Sequence, residues 1–223
     1  MRTITENINR YRASLPEGVE LCAVSKFHPE TSIEEAYRAG QRVFGESRVQ
    51  ELVPKSQNLP TDIEWHFIGH LQTNKVKYIA SFISLIHSGD SIKLLKEINS
   101  CAKKEGRVID VLLQLHVAQE ETKSGFIPSE LYDYMASEEW RELKNIQIRG
   151  VMGMASFTDD QTQIESEFKQ IRKVFDDIKQ KYFSDDIKFT YCSMGMSDDY
   201  PLAIECGSNI VRVGTGIFGE RIY

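Results

Sequence analysis

Lys26 stands at the end of a short apolar run, Leu21-Cys22-Ala23-Val24-Ser25, and two glycine-bearing turns lie far along the chain, Ser193-Met194-Gly195-Met196-Ser197 and Gly214-Thr215-Gly216. A lysine amine that is partly neutral forms a Schiff base with a carbonyl, and glycine turns leave backbone N–H groups open to a phosphate. A strand-end lysine combined with a phosphate cradle suggests pyridoxal phosphate. A cofactor-free aldolase, with Lys26 linked to a phosphorylated sugar, obeys the same logic. Most lysines near strand ends are solvated charges and most such turns only reverse the chain, so neither feature is specific alone.

Two further segments could carry chemistry. Arg212 sits inside the apolar run Ile210–Val213, where a charge facing a protein interior is costly unless it is paired or bonded to a ligand. One reading is a structural salt bridge. The other is a guanidinium that donates to a pyridine nitrogen, keeping that ring unprotonated and a weak electron sink. The second segment is Trp65-His66-Phe67-Ile68-Gly69-His70-Leu71-Gln72-Thr73-Asn74-Lys75. His66 and His70 are four apart, but Gly69 and the strand-like context take them off a common helix face. No glutamate follows His66 as a zinc-protease helix needs, so a metal site is not expected. Cys22, Cys101, Cys192 and Cys206 are widely spaced without a Cys-x-x-Cys pair, and read as structural thiols.

The elements that must position these residues alternate from end to end. Eight strand candidates, Glu20–Ser25, Arg42–Gly45, Glu64–Ile68, Phe82–His87, Val108–Val117, Ile146–Met152, Lys188–Cys192 and Ile210–Val213, are separated by amphipathic stretches. Helix starts are read at Thr31 and Ser32 ahead of Glu34-Glu35, Asp90 and Ser91 ahead of Ile92–Ala102, Ser129 ahead of Glu130–Ala136, and Asp159-Asp160 ahead of Gln161–Lys181. Ile164, Phe168, Ile171, Val174, Phe175 and Ile178 recur at helical spacing and give the last of these one buried face. An amphipathic stretch, Ile4–Ala13, precedes the first strand and is expected to close the bottom of the fold.

This order predicts an α/β protein, a single (β/α)8 TIM barrel over residues 1–223 with an extra amino-terminal helix. Phosphate-like turns after the last two strands favour the barrel, and the lack of Gly-x-Gly-x-x-Gly after the first strand argues against a doubly wound sheet. In such a barrel Lys26 follows strand one, Ser193, Gly195, Met196 and Ser197 follow strand seven, and Gly214 and Thr215 follow strand eight, all on the face where strands end. A helix then opens at Asp198, and the carboxylates of Asp198 and Asp199 are expected to point outwards.

Composition narrows the function classes. With 27 Lys+Arg against 33 Asp+Glu the net charge is -6, without the basic stripe that nucleic-acid binding requires. The amino terminus is polar, and no apolar run of about 18 residues occurs. A cytoplasmic protein without membrane or nucleic-acid partners is expected.

The segment from Trp65 to Lys75 resembles the Trp-His-Phe-Ile-Gly-x-Leu-Gln-x-Asn-Lys signature of the YggS/PROSC family of pyridoxal-phosphate-binding homeostasis proteins. Ala23-Val24-Ser25-Lys26 is similar to that family's cofactor-lysine segment. Phe44-Gly45-Glu46 with Val49-Gln50-Glu51, and Gly150-Val151-Met152-Gly153-Met154-Ala155, are similar to two of its other blocks. Ser193–Ser197 and Val211–Thr215 with Ile217-Phe218-Gly219 are similar to its phosphate-binding end. The resemblance implies a fold-type III barrel like the amino-terminal domain of alanine racemase, with pyridoxal phosphate in Schiff-base linkage to Lys26 and further contacts from Ser193, Gly195, Met196, Arg212, Gly214 and Thr215. Ser47, His66 and Lys123 are secondary candidates. Ser47 stands where the family usually has asparagine, and Phe27-His28 replaces the common Thr-Lys, removing a second lysine; Lys123 matches another family lysine.

The resemblance also implies a role in holding and delivering the cofactor, with pyridoxal-phosphate-dependent apo-enzymes as recipients. Racemisation needs bases on both faces of the substrate carbon, and alanine-racemase-like enzymes take one from a second, β-rich domain. The chain ends at Tyr223, just past the eighth strand, so a carrier without established turnover is the first expectation. A racemase or lyase using Lys26 with Tyr191 or His66 is the alternative, and the aldolase a distant third. A monomer is expected.

Overall fold

Strands that are covered on both faces read as apolar runs, as Leu21–Val24 and Val111–Leu113 do, and eight short strands form the sheet of the computed structural model, which describes residues 2–118 and 124–220. They are β1 (Glu20–Val24), β2 (Val43–Glu46), β3 (Glu64–Phe67), β4 (Leu85–Gly89), β5 (Ile109–Gln114), β6 (Ile146–Met152), β7 (Tyr191–Ser193) and β8 (Ile210–Val213). Each pairs in parallel with the next, and β8 returns to β1 with Leu21 opposite Val211 and Cys22 opposite Arg212, which closes the predicted barrel. Alternation along the strands sends Cys22, Val43, Leu85, Leu112, Met152 and Ile210 into one small interior cluster. Their neighbours, such as Leu21, Phe44 and Phe67, face outwards into the larger core shared with the helices.

The helices are α1 (Ile4–Ser14), α2 (Glu30–Arg38), α3 (Val49–Asn58), α4 (Ile92–Lys104), α5 (Pro128–Ser137), α6 (Gln161–Tyr182), α7 (Tyr200–Glu205) and α8 (Thr215–Phe218). Ser91 caps α4 by accepting the Leu94 N–H, and Asp160 caps α6 by accepting from Thr162 and Gln163. Two starts differ from expectation. Thr31, Ser32 and Ser129 lie inside first turns, because Pro29 ahead of α2 and Pro128 at the head of α5 set the backbone earlier. The stretch after β3 forms a 3₁₀ turn, Thr73–Tyr78, in place of an α-helix.

The amino-terminal helix does not lie under the barrel. The Asn7 side-chain amide donates to the Ile217 carbonyl at 3.0 Å, and the Arg12 guanidinium donates to the Ala39 carbonyl at 2.9 Å. Helix α1 therefore stands in the outer ring between α2 and α8. Ile8 and Tyr11 are buried on α1, and a Cβ at Gly216 of the four-residue α8 would meet the Tyr11 hydroxyl at 1.9 Å, so the two helices pack closely. Among the described residues no helix is long and apolar enough to cross a membrane.

Candidate functional site

Lys26 lies just past the end of β1, half-buried, in a segment held from both sides. Phe27 has φ 66, a left-handed conformation that is uncommon and strained in a bulky residue. Its N–H donates to the Glu51 carboxylate at 2.8 Å, and the Arg48 guanidinium covers its ring at 4.5 Å. On the other side, the buried Lys55 ammonium donates to the Ser25 carbonyl at 3.0 Å and to Glu46 at 2.7 Å, while the Ser25 hydroxyl donates to Glu46 at 2.6 Å. Glu46 and Lys55 are both buried. Burial pushes the Glu46 carboxyl upwards, and the Lys55 ammonium and the Ser25 hydroxyl act against that push. The lysine is thus carried on a backbone that a buried ion pair and a second carboxylate fix in place.

The glycine turns face this segment from the ends of β7 and β8. Gly195 has φ +90, and a Cβ there would lie 2.6 Å from the Ala203 Cβ and 2.9 Å from the Tyr200 Cα. Only glycine makes this turn into α7. Among the described residues the N–H groups of Gly195, Ser197 and Thr215 have no protein partner. The Met196 N–H does: it donates to the Asp199 carboxylate at 2.5 Å. Asp199 therefore folds back onto the loop, contrary to the outward orientation expected of it, because its short side chain reaches an N–H three residues earlier. The Gly216 N–H donates to the Ser197 hydroxyl at 3.4 Å and joins the two turns, and the His28 ring stacks on Phe218 at 5.1 Å, joining the Lys26 segment to α8. Beside the first turn a cleft of about 540 Å³ is lined by Met154, Phe157, Ile164, Met196 and Asp199, among others.

Arg212 is 4% exposed and points into the barrel. Its guanidinium donates to the Ser193 carbonyl at 2.9 Å, the Ser193 hydroxyl at 2.6 Å and the Gly153 carbonyl at 3.0 Å. Its hydrogen bonds go to neutral acceptors and not to a carboxylate, so the salt-bridge reading does not hold among the described residues. Burial lowers its pKa from the ordinary value, which for a guanidinium still leaves it charged. Ser193 is consequently turned inwards: its hydroxyl serves Arg212 and His87, not the loop.

The remaining candidates scatter. His66 is buried in the barrel, 3.1 Å from the His87 ring, with its pKa brought down by burial to about 3, which makes its ring a weak proton acceptor. His70 is exposed and pairs with Asp90, so the two histidines of that segment do not converge, and among the described residues no cluster is placed to hold a metal ion. Tyr191 opens β7 at the opposite end of the barrel, under the Arg149 guanidinium. Ser47 packs against Gly69, where a Cβ would meet the Ser47 carbonyl at 2.4 Å. Lys123 lies outside the described residues. Sequence reasoning missed Glu46 as a support, Glu51, Lys55 and His87. Glu51 and Lys55 are one helical turn apart, but nothing local announces that they meet β1.

A cation with uncommitted N–H groups, hydroxyls, open backbone N–H groups and a strand-end amine form a donor set that fits a phosphate, a pyridine nitrogen and an aldehyde on one ligand. The alanine racemase N-terminal domain family matches residues 1–222, and the fold and site place the chain in that class of barrel. Alanine racemase of Clostridium difficile 630 shares the fold, with a TM-score of 0.75 at 17% identity over 98% of this chain and 56% of that one. PipY of Synechococcus elongatus PCC7942, solved with pyridoxal phosphate bound, gives 0.87 at 37% identity over 97% of this chain and 100% of that one. The pyridoxal phosphate homeostasis proteins of Aquifex aeolicus and Pasteurella multocida are 41% identical over 92% of this chain and 88% of theirs, and 39% identical over 99% and 95%. The chain belongs to the pyridoxal phosphate homeostasis protein family, as the sequence resemblance implied.

Proposed function

We propose that this chain binds pyridoxal 5'-phosphate in Schiff-base linkage to Lys26 and serves intracellular pyridoxal phosphate homeostasis by holding and delivering it. The observation that carries the reading is the convergence of Lys26 after β1, the two glycine turns after β7 and β8, and buried Arg212 at one end of one barrel. The phosphate is assigned to the N–H groups of Gly195, Ser197 and Thr215 with the Ser197 and Thr215 hydroxyls. Met196 contributes its side chain to the adjoining cleft, and Gly214 keeps the second turn close to β1. Arg212 takes the ring nitrogen. When bound, the cofactor supplies an electrophilic aldehyde carbon for an amine. A charged guanidinium at the ring nitrogen opposes protonation of the ring and so weakens it as an electron sink, which suits retention over turnover.

Racemisation would need a second base. The two side chains considered for it, His66 and Tyr191, lie respectively buried in the barrel interior against His87 and at the far end of β7. We place the protein in the cytoplasm as a monomer of one barrel domain, with pyridoxal-phosphate-dependent apo-enzymes as recipients. The test is a visible absorption spectrum of the purified protein, followed by borohydride reduction and peptide mass mapping. A phosphopyridoxyl group on Lys26 is the expected result. A colourless protein that takes up no added pyridoxal phosphate overturns the reading.

A further inference from the structure

Behind Arg212 the barrel holds a line of polar side chains that the reading above leaves without a role. The Ser193 hydroxyl, 2.6 Å from Arg212 Nη1, is 3.1 Å from His87 Nδ1, and His87 Nε2 is 3.1 Å from His66 Nδ1. All four side chains are buried. Proton counting fixes the direction of the line. A guanidinium only donates, so the Ser193 oxygen accepts from it, and the hydroxyl hydrogen has His87 Nδ1 as its acceptor. His87 then carries its hydrogen on Nε2 and donates to His66 Nδ1, which places the His66 hydrogen on Nε2. The reverse direction puts a hydrogen on His87 Nδ1, and the Ser193 hydroxyl hydrogen is left without an acceptor among the described residues. That is a costly arrangement for a buried group. Burial keeps both imidazoles neutral, His66 at about 3 and His87 well below its ordinary value with the Arg212 charge adding to the effect.

We propose that His87, oriented by His66, is a positioning residue for Arg212: it holds the Ser193 hydroxyl in its accepting orientation and so fixes the plane of the guanidinium. Three of the five guanidinium N–H groups are spent on Ser193 and Gly153, and two remain for a ligand. Their direction follows from the three that are anchored. Through this line, the barrel interior sets the angle at which Arg212 meets the ring nitrogen and hence the colour and retention of the bound cofactor. The inference rests on the pyridoxal phosphate reading of the site.

The experiment uses the full chain loaded with pyridoxal phosphate, in four forms besides the wild type: His87→Leu, His87→Gln, Ser193→Ala and the double variant Ser193→Ala/His87→Leu. Three quantities are read: the visible spectrum, the rate of cofactor release into a carbonyl-trapping reagent, and thermal unfolding. His87→Leu is expected to shift the absorption maximum and speed release about fivefold, the loss of roughly one hydrogen bond, while the borohydride adduct stays on Lys26. His87→Gln restores both, because its amide oxygen accepts from Ser193. Ser193→Ala reproduces the His87→Leu effect, and the double variant adds nothing to it. Wild-type spectrum and release in Ser193→Ala, or additive effects in the double variant, overturn the proposal. Should His87→Leu not fold, Ser193→Ala still decides, since it removes the same link at small cost in volume. A wild-type protein that takes up no pyridoxal phosphate instead overturns the reading of the site itself.

Discussion

The barrel interior is polar at both ends and apolar between them, and the two ends handle charge in opposite ways. At the end where strands finish, Arg212 is satisfied by carbonyls and a hydroxyl, and the adjoining histidines are neutral. Below the layer of Cys22, Val43, Leu85, Leu112, Met152 and Ile210, the other end gathers Glu20, Glu64, Asp110, Arg149 and Tyr191. There Arg149 pairs with Asp110 and donates to the Lys188 carbonyl at 2.7 Å, and one oxygen of Glu20 is buried with no partner among the described residues. The upper end keeps negative charge out of the barrel itself, its buried carboxylate Glu46 being turned to the helix side and paired with Lys55, and leaves a cation with donors to spare, as an anionic, nitrogen-bearing ligand requires. The lower end is crowded with carboxylates, and one of them is held near neutrality. The contrast is between a site built in a single geometry and a plug that titrates.

The largest effect is expected at Lys26, at the upper end. Lys26→Ala is expected to abolish the borohydride-reducible linkage while the glycine turns and Arg212 retain some cofactor without a covalent bond, measured by spectrum and by mass mapping of the reduced protein. An adduct that persists elsewhere would relocate the linkage, with Lys123 the first position to inspect. Next in size is Lys55→Met. It leaves Glu46 in a buried site without its ion-pair partner, an arrangement that costs about 3–5 kcal/mol in comparable cases. Urea unfolding should show that loss, and pairing the change with Glu46→Gln should recover part of it. A loss confined to cofactor uptake, with stability intact, would mean that the ion pair serves the Lys26 segment alone.

Arg212→Ala is expected to change the spectrum and hasten cofactor loss while the Lys26 adduct survives. It also strands the Ser193 and Gly153 acceptors, which should lower stability by about 1–3 kcal/mol. Unchanged colour and retention would reduce Arg212 to a structural cation, and the asymmetry between the two ends of the barrel would lose its functional meaning.

What could be read from the sequence was what is local. Ile146–Met152 and Ile210–Val213 form strands at their predicted bounds because each places apolar, mostly β-branched residues at strand spacing with turns at its ends. Phe82 and Ile83 looked like the start of a strand, but their N–H groups close the turn after the 3₁₀ segment by donating to the Ile79 carbonyl, so β4 begins only at Leu85. Likewise Phe189 donates to the Asp186 carbonyl in a turn, which delays β7 to Tyr191. Lys26, Arg212 and the glycine turns stood out by residue type against an apolar background, and the family resemblance gave them roles. His87 did not stand out, because its partner Ser193 is 106 residues away and only barrel closure brings the two together. Lys55 was hidden for the same reason: its helix carries it under a strand end that its own neighbours do not indicate.

The smallest predicted effect tests the lower end. Burial raises the Glu20 carboxyl from the ordinary 4.5 to about 7, with Glu64 adding to the rise and Arg149 opposing it. A group whose folded-state pKa lies above its unfolded value favours folding while it is protonated in both states, below about pH 4.5. That advantage is lost as the pH rises towards 7, because the unfolded chain releases its proton first. The full shift corresponds to roughly 3 kcal/mol, and partial exposure of the side chain brings the expected figure to about 1–2 kcal/mol. Glu20→Gln carries no charge to lose. It should match the wild type in urea midpoint at pH 4.5 and exceed it at pH 8.5, the gap opening between these values. An equal effect of the substitution at both pH values would show that Glu20 contributes through packing and not through its charge, and the contrast between the two ends would then rest on geometry alone.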